Sequence, residues 1–377
     1  MFRLCLLLLA CARGAAISTR AMVDDVDATL HLALKHVRDT LKVTAHPADV
    51  ARLKDAPNLV KLLATAHDDP AALAAQLAAS PLAAVMRDVA LPKSDAAAGA
   101  LPIVTAHGMG DSCFNSGMKS VTAAAGKRVG AYAVCVPTAD NRVADTVDGF
   151  LKNMDRSVDA FAARVRKDPK LQNGFNAIGL SQGNNVIRGY MAKYNNPPVK
   201  TFLSVCGCNA GVAAWPQCSP AGKISGPVCR ALAEALGDLA YIKLVQDILF
   251  QANYYRDPLR LQDKAYLANS VLARWNGEAH ANATWRANFL RTDKFVWVEA
   301  TEDSVVFPRA GEHWAAPDPA DPWKAVQPME QTAWYASDAF GLKTADVQGK
   351  HAFESFAGQH IGFTDEELFG WLDKYFT

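Results

Sequence analysis

The chain has 377 residues, half of them hydrophobic and a fifth charged, with 39 Lys and Arg against 38 Asp and Glu. That composition excludes a disordered or collagen-like chain, and a formal net charge of +1 leaves no electrostatic footprint for nucleic acid or an anionic membrane. No apolar run reaches the ~18–20 residues needed to cross a bilayer, so a chain with a sizeable core and no transmembrane segment is expected.

Residues 1–20 begin with Met1-Phe2-Arg3, continue through the apolar run 4–12 and pass into Arg13-Gly14-Ala15-Ala16. A short positive head, a brief apolar stretch and small residues read as a signal peptide, cleaved between about Ala12 and Ala21. A buried N-terminal strand or helix is the bland alternative. Residues 21–100 are rich in Ala, Leu and Asp, with helical spacing in Val26-Leu30-Leu34-Val37-Leu41 and in Leu73-Leu77. They read as two to four short helices and a linker at 92–99, forming an appendage, a pro-segment or a partner-binding module.

From residue 101 the pattern changes. Strands are expected at 101–106, 129–136, 175–179, 199–205 and 294–300, with helices at 146–166 and from 183 to 194. His351 opens a further strand-like run, and Thr364-Asp365-Glu366-Glu367 is a capping box opening the last helix. Alternating strands and helices predict an α/β fold, a mostly parallel sheet with helices on both faces. Residues 211–292 break the rhythm with helical material and read as a cap insertion.

Cys5 and Cys11 fall in the leader, leaving Cys113, Cys135, Cys206, Cys208, Cys218 and Cys229. An even number in a secretory chain suits disulfides, and the short Pro-, Gly- and Ser-rich loop between Cys218 and Cys229 makes that pair the first choice. Paired C-x-x-C spacing is absent, so no metal is expected. Asn282-Ala283-Thr284 is the single glycan sequon.

Chemistry concentrates at Gly179-Leu180-Ser181-Gln182-Gly183, a G-x-S-x-G pattern between a strand and a helix. Chance produces such a pattern in roughly one chain in ten of this length, so the flanking strand and helix supply the weight. A serine nucleophile needs a base and an acid, which follow it in chain order. Of His280, His313, His351 and His360, the last lies in a loop between the final strand and final helix and is preferred, with His351 as rival. Asp303 directly follows the 294–300 strand and is the candidate acid, with Glu302 beside it. His107-Gly108-Met109-Gly110 follows the first strand and resembles an oxyanion loop, with the Gln182 amide as the second donor.

These residues resemble the palmitoyl-protein thioesterase family. The resemblance runs through LPIVTAHGMGDSCFNSG (101–117), KDPKLQNGFNAIGLSQGNNVIRGY (167–190), Ser204-Val205-Cys206-Gly207, QANYYRD (251–257), 294–304 and Phe340-Gly341-Leu342-Lys343. It implies an α/β-hydrolase domain over 101–377, with Ser181 as nucleophile, Asp303 as acid, His360 as base, and Met109 and Gln182 as oxyanion amides. It also implies a cap over an acyl groove and supports the Cys218–Cys229 pairing. No cofactor or metal is implied. The partners would be S-acylated proteins or peptides and a fatty acyl chain, met by a monomer in the secretory pathway, lysosomal, vacuolar or secreted. Departures are Gly358-Gln359-His360 where Gly-Asp-His is usual, Asn184-Asn185 after the elbow, Phe114 after Cys113, and the extra Cys206 and Cys208. The alternatives are a lipase or esterase acting on oxygen esters or acyl-CoA thioesters, and a non-catalytic acyl-binding protein.

Overall fold

The structure, a computed structural model, describes residues 99–214, 240–241 and 243–377. The expected leader, the helical extension and the Cys218–Cys229 pair lie outside the described residues.

Six strands form one parallel sheet: β1 (Ile103–Ala106), β2 (Ala133–Cys135), β3 (Phe175–Leu180), β4 (Val199–Val205), β5 (Lys294–Ala300) and, after a small antiparallel pair β6 (Ala316–Pro317) and β7 (Val326–Gln327), β8 (His351–Phe356). The order is β2-β1-β3-β4-β5-β8, so β3 and β4 sit centrally and the chain reverses direction of growth at β1. The inner strands are buried along almost their whole length and are mostly apolar, because both faces are covered. Along β4, Phe202 enters one core and Leu203 the other; along β5, Trp297 and Val298 part the same way. The edge strand β8 is half-exposed, which is why its sequence mixes His351, Glu354 and Ser355 with apolar residues.

On one face lie α1 (Ser116–Val129) and the C-terminal helix (Asp365–Tyr375), supplying Met118, Ala125, Trp371 and Leu372. On the other lie α3 (Met154–Lys167) and α4 (Gly183–Lys193), supplying Phe161, Ile187 and Tyr190. Two expectations are corrected here. The 129–136 run is not all strand: Val129 ends α1, Gly130 caps it at φ +69°, and only Ala133–Cys135 pairs. The 146–166 helix is two helices, α2 (Arg142–Leu151) and α3, because the Asn153 side chain accepts from the Arg156 amide and starts the chain afresh.

Between β4 and β5 the described insertion holds α5 (Lys243–Ile248), α6 (Phe250–Tyr254), α7 (Lys264–Asn269), α8 (Val271–Trp275) and α9 (Ala283–Leu290). The last of these belongs to the layer on the sheet: Phe289 stacks on Phe295 of β5 at 4.5 Å between ring centres, and Asn288 bonds the end of α4. The insertion therefore changes character before residue 292.

Candidate active site

The site forms where β3 turns into α4. Ser181 sits at the apex with φ +52°, a left-handed backbone rarely adopted by a side-chain-bearing residue. Its amide donates to the Val205 carbonyl at 3.0 Å. The two glycines are required by close approach: a Cβ on Gly179 would lie 2.8 Å from the Cα of Asn184, and one on Gly183 would lie 2.3 Å from the Ala106 carbonyl oxygen. Asn184 is fully buried, and its amide donates to the carbonyls of Ser181 and Val205 at 2.8 and 2.9 Å. Its presence where a glycine is common therefore clamps the apex onto β4.

The structure brings Ser181, His360 and Asp303 together. Ser181 Oγ lies 2.8 Å from His360 Nε2, and His360 Nδ1 is hydrogen-bonded to Asp303 Oδ2. The second Asp303 oxygen accepts from the amides of Val305 and Val306 at 2.5 and 3.0 Å. Burial by itself would raise the Asp303 carboxyl, yet its bond and charge interaction with His360, aided by the Val305 amide, hold it below the ordinary carboxylate value. An imidazole so placed can take a proton from a hydroxyl while the carboxylate stabilises the resulting cation.

The rivals lie elsewhere. Glu302 is exposed. His280 is exposed; His313 Nε2 lies 3.1 and 2.9 Å from the carbonyls of Trp297 and Glu354. His351 packs edge-on against Phe295 and Trp297, and burial pushes its pKa down to about 4.

The loop after β1 lies against the elbow, with the Gly108 Cα so close that a Cβ there would be 3.2 Å from that of Ser181. The Gly108 carbonyl faces His107 Nδ1 at 2.9 Å. A trans peptide points its N–H opposite to its carbonyl, so the Met109 amide faces away from that ring. Gln182 is the N-cap of α4, where the helix leaves its amide unpaired. Its side chain is fixed by the Gly149 carbonyl at 2.8 Å, by Gln251 at 2.7 Å and by Tyr254 at 3.2 Å. Gln251 and Tyr254 come from QANYYRD on α6, so the insertion braces the elbow directly. A cleft beside these residues is lined by Val136, Gly149, Gln182, Val186 and Phe250.

Three features escaped the sequence reading. His107 pairs with buried Asp145, its Nε2 3.2 Å from Oδ2. Glu312, with 1% of its surface exposed, lies against Asp303. Cys113 and Cys135 form a disulfide, while Cys206 and Cys208 are buried thiols. Burial pushes both thiols up, and that of Cys208 contacts the Ser181 side chain. His107, Cys113 and Cys206 lie within motifs already quoted, but nothing in those motifs names their partners. Cys206, Asp303, Glu312 and His360 converge within 4.8 Å, a spacing a divalent cation could bridge, but His360 Nδ1 is already spent on Asp303. Asn282 of the sequon is exposed and caps α9 through the Trp285 amide.

Residues 102–360 match the family described as palmitoyl protein thioesterase. The chain is 31% identical over 264 residues to palmitoyl-protein thioesterase 1 of Caenorhabditis elegans, covering 69% of this chain and 86% of that protein. It is 31% identical over 232 residues to palmitoyl-protein thioesterase 3 of Dictyostelium discoideum, covering 61% and 75%. Human lysosomal thioesterase PPT2 is 31% identical over 183 residues, covering 48% and 57%.

Proposed function

The chain belongs to the palmitoyl-protein thioesterase family, and we propose on that footing that it removes long-chain fatty acyl groups from cysteine thioesters of proteins through an acyl-enzyme on Ser181. The observation that carries the reading is the 2.8 Å approach of Ser181 Oγ to His360 Nε2, with Asp303 behind the ring. His360 takes the Ser181 proton as Oγ attacks the thioester carbonyl. The oxyanion is received by the amides of Met109 and Gln182. Collapse breaks the carbon–sulfur bond, and His360 returns its proton to the departing thiolate. Water, deprotonated by His360, then releases the fatty acid and restores Ser181.

The test is hydrolysis of a palmitoylated peptide by the wild type and by Ser181→Ala. Activity in the first and none in the second supports the reading. Faster turnover of the matching oxygen ester makes the protein an esterase instead. Failure of a fluorophosphonate to label Ser181 makes it a binding protein.

The leader-like composition of residues 1–20, the sequon at Asn282 and the lysosomal relatives together support passage through the secretory pathway to a lysosome or vacuole, or secretion. Action as a monomer and a Cys218–Cys229 bridge belong to the same reading.

A further inference from the structure

Two carboxyl groups meet beneath the catalytic histidine. Asp303 is 2% exposed and Glu312 1% exposed, and a carboxyl oxygen of one lies within 4.8 Å of a carboxyl oxygen of the other. Two carboxylates cannot both stay ionised at that separation out of water, so the pair shares one proton.

The donors decide where the proton sits. Asp303 receives the amides of Val305 and Val306 on one oxygen and His360 on the other. Glu312 receives a single donor, the Ala300 amide at 3.0 Å on Oε2, and no donor reaches Oε1. The surroundings agree. Arg309, on the same turn as Glu312, is committed to Glu299 at 3.0 Å, and His313 Nδ1 lies 3.6 Å from the same carboxylate. From the end of β4, Cys206 and Cys208 face the pair as thiols that burial keeps protonated. His360, within 4.8 Å of Glu312, has its Nδ1 bonded to Asp303. Among the described residues no Lys or Arg therefore compensates a charge on Glu312, and burial next to Asp303 pushes its pKa up to about 11.

We propose that Glu312 is a positioning residue: a neutral carboxylic acid that donates a hydrogen bond to Asp303 and anchors the end of β5 through Ala300. Asp303 thus keeps its charge and its orientation while His360 gains and loses its proton. Were the charge on Glu312 instead, the shared proton would sit on Asp303 and leave the imidazolium unsupported. This inference rests on the triad reading given above.

The experiment measures kcat and KM of the full-length chain on a palmitoylated peptide from pH 4 to 9 for wild type, Glu312→Gln and Glu312→Leu. The glutamine keeps both a donor for Asp303 and an acceptor for Ala300. Glu312→Leu is expected to lose about tenfold or more in kcat with KM within about threefold, and Glu312→Gln to recover most of that loss. The acid limb of the glutamine variant should coincide with that of the wild type. Wild-type kcat in Glu312→Leu, an equal loss in both variants, or an acid limb displaced downward in Glu312→Gln each overturn the proposal; the last means that an anion was removed. Should Glu312→Leu fail to fold, the pH profile of Glu312→Gln decides alone. A wild type without activity defeats the functional reading first. The proton is then read by difference infrared spectroscopy, where a protonated-carboxyl band missing from Glu312→Gln supports the assignment and an unchanged spectrum overturns it.

Discussion

At Ser181 the backbone carries strain in exchange for exposing the hydroxyl. A residue with a Cβ held at φ +52° costs about 1–3 kcal/mol relative to a relaxed conformation. Glycine tolerates that φ, whereas alanine retains the Cβ. Ser181→Gly and Ser181→Ala should both be inactive, with Ser181→Gly the more stable by ~1 kcal/mol in urea unfolding; equal midpoints would show the turn to be relaxed. Gly183 makes the complementary case. The atom 2.3 Å from its hypothetical Cβ is a backbone carbonyl of β1, which cannot swing aside. Gly183→Ala should therefore cost ~1–3 kcal/mol and move the elbow, lowering kcat/KM at least tenfold. Both glycines were legible in the sequence because a tight strand-to-helix turn leaves no choice of residue. Glu312 was not, since its chemistry depends on a neighbour nine positions away on a different turn.

The loop after β1 shows how elements hold one another. Asp145 on α2 accepts from the Ser112 hydroxyl at 2.8 Å, the Cys113 amide at 2.9 Å and the Thr138 amide at 2.7 Å, and pairs with His107. His107 in turn faces the Gly108 carbonyl, fixing the peptide that carries the Met109 amide. Although burial opposes a charged ring, Asp145 raises His107 to about 9, and Asp145 itself is held low. A raised imidazole stabilises the fold fully below its unfolded value near 6.5 and loses that contribution as pH climbs through about 9. Asp145→Asn, which leaves the Cys113 and Thr138 donors poorly met, should cost ~3–5 kcal/mol and lower kcat more than it raises KM. Its melting temperature should no longer fall specifically between pH 7 and 9, and an unchanged alkaline decline would remove the ion pair from the account. The Cys113–Cys135 disulfide pins the same loop to the end of β2 across a separation of 22 residues. Chain-entropy arguments give such a closure ~3 kcal/mol, so Cys113→Ser with Cys135→Ser should lower stability by about that amount in chemical denaturation. Sequence reading located the loop from its glycines but not its fastenings. The expected helix began one residue past Asp145, and six cysteines allow many pairings.

Across the described residues, the sheet was legible because its inner strands, buried on both faces, are short and mostly apolar runs. Its boundaries were not, because Gly130 and Asn153 act through backbone angle and a side-chain cap rather than through hydrophobic period. The edge strand has a consequence for acid stability. His351 on β8 packs its ring against Phe295 and Trp297, and neither ring nitrogen has a hydrogen-bond partner. Burial depresses it to about 4, whereas in the unfolded chain it binds a proton near 6.5. Between those values the unfolded state holds more protons than the native one, so stability falls as pH drops through that window. The ring is only partly buried, which trims the effect to ~1–3 kcal/mol. Depressed carboxyls at Asp303 and Asp145 act in the same direction, losing their contribution only below the ordinary carboxylate range. Phenylalanine keeps the edge-on packing without the titrating nitrogens. His351→Phe should raise the melting temperature more at pH 5 than at pH 7.5, and an equal shift at both would assign the change to packing alone and exclude the proton.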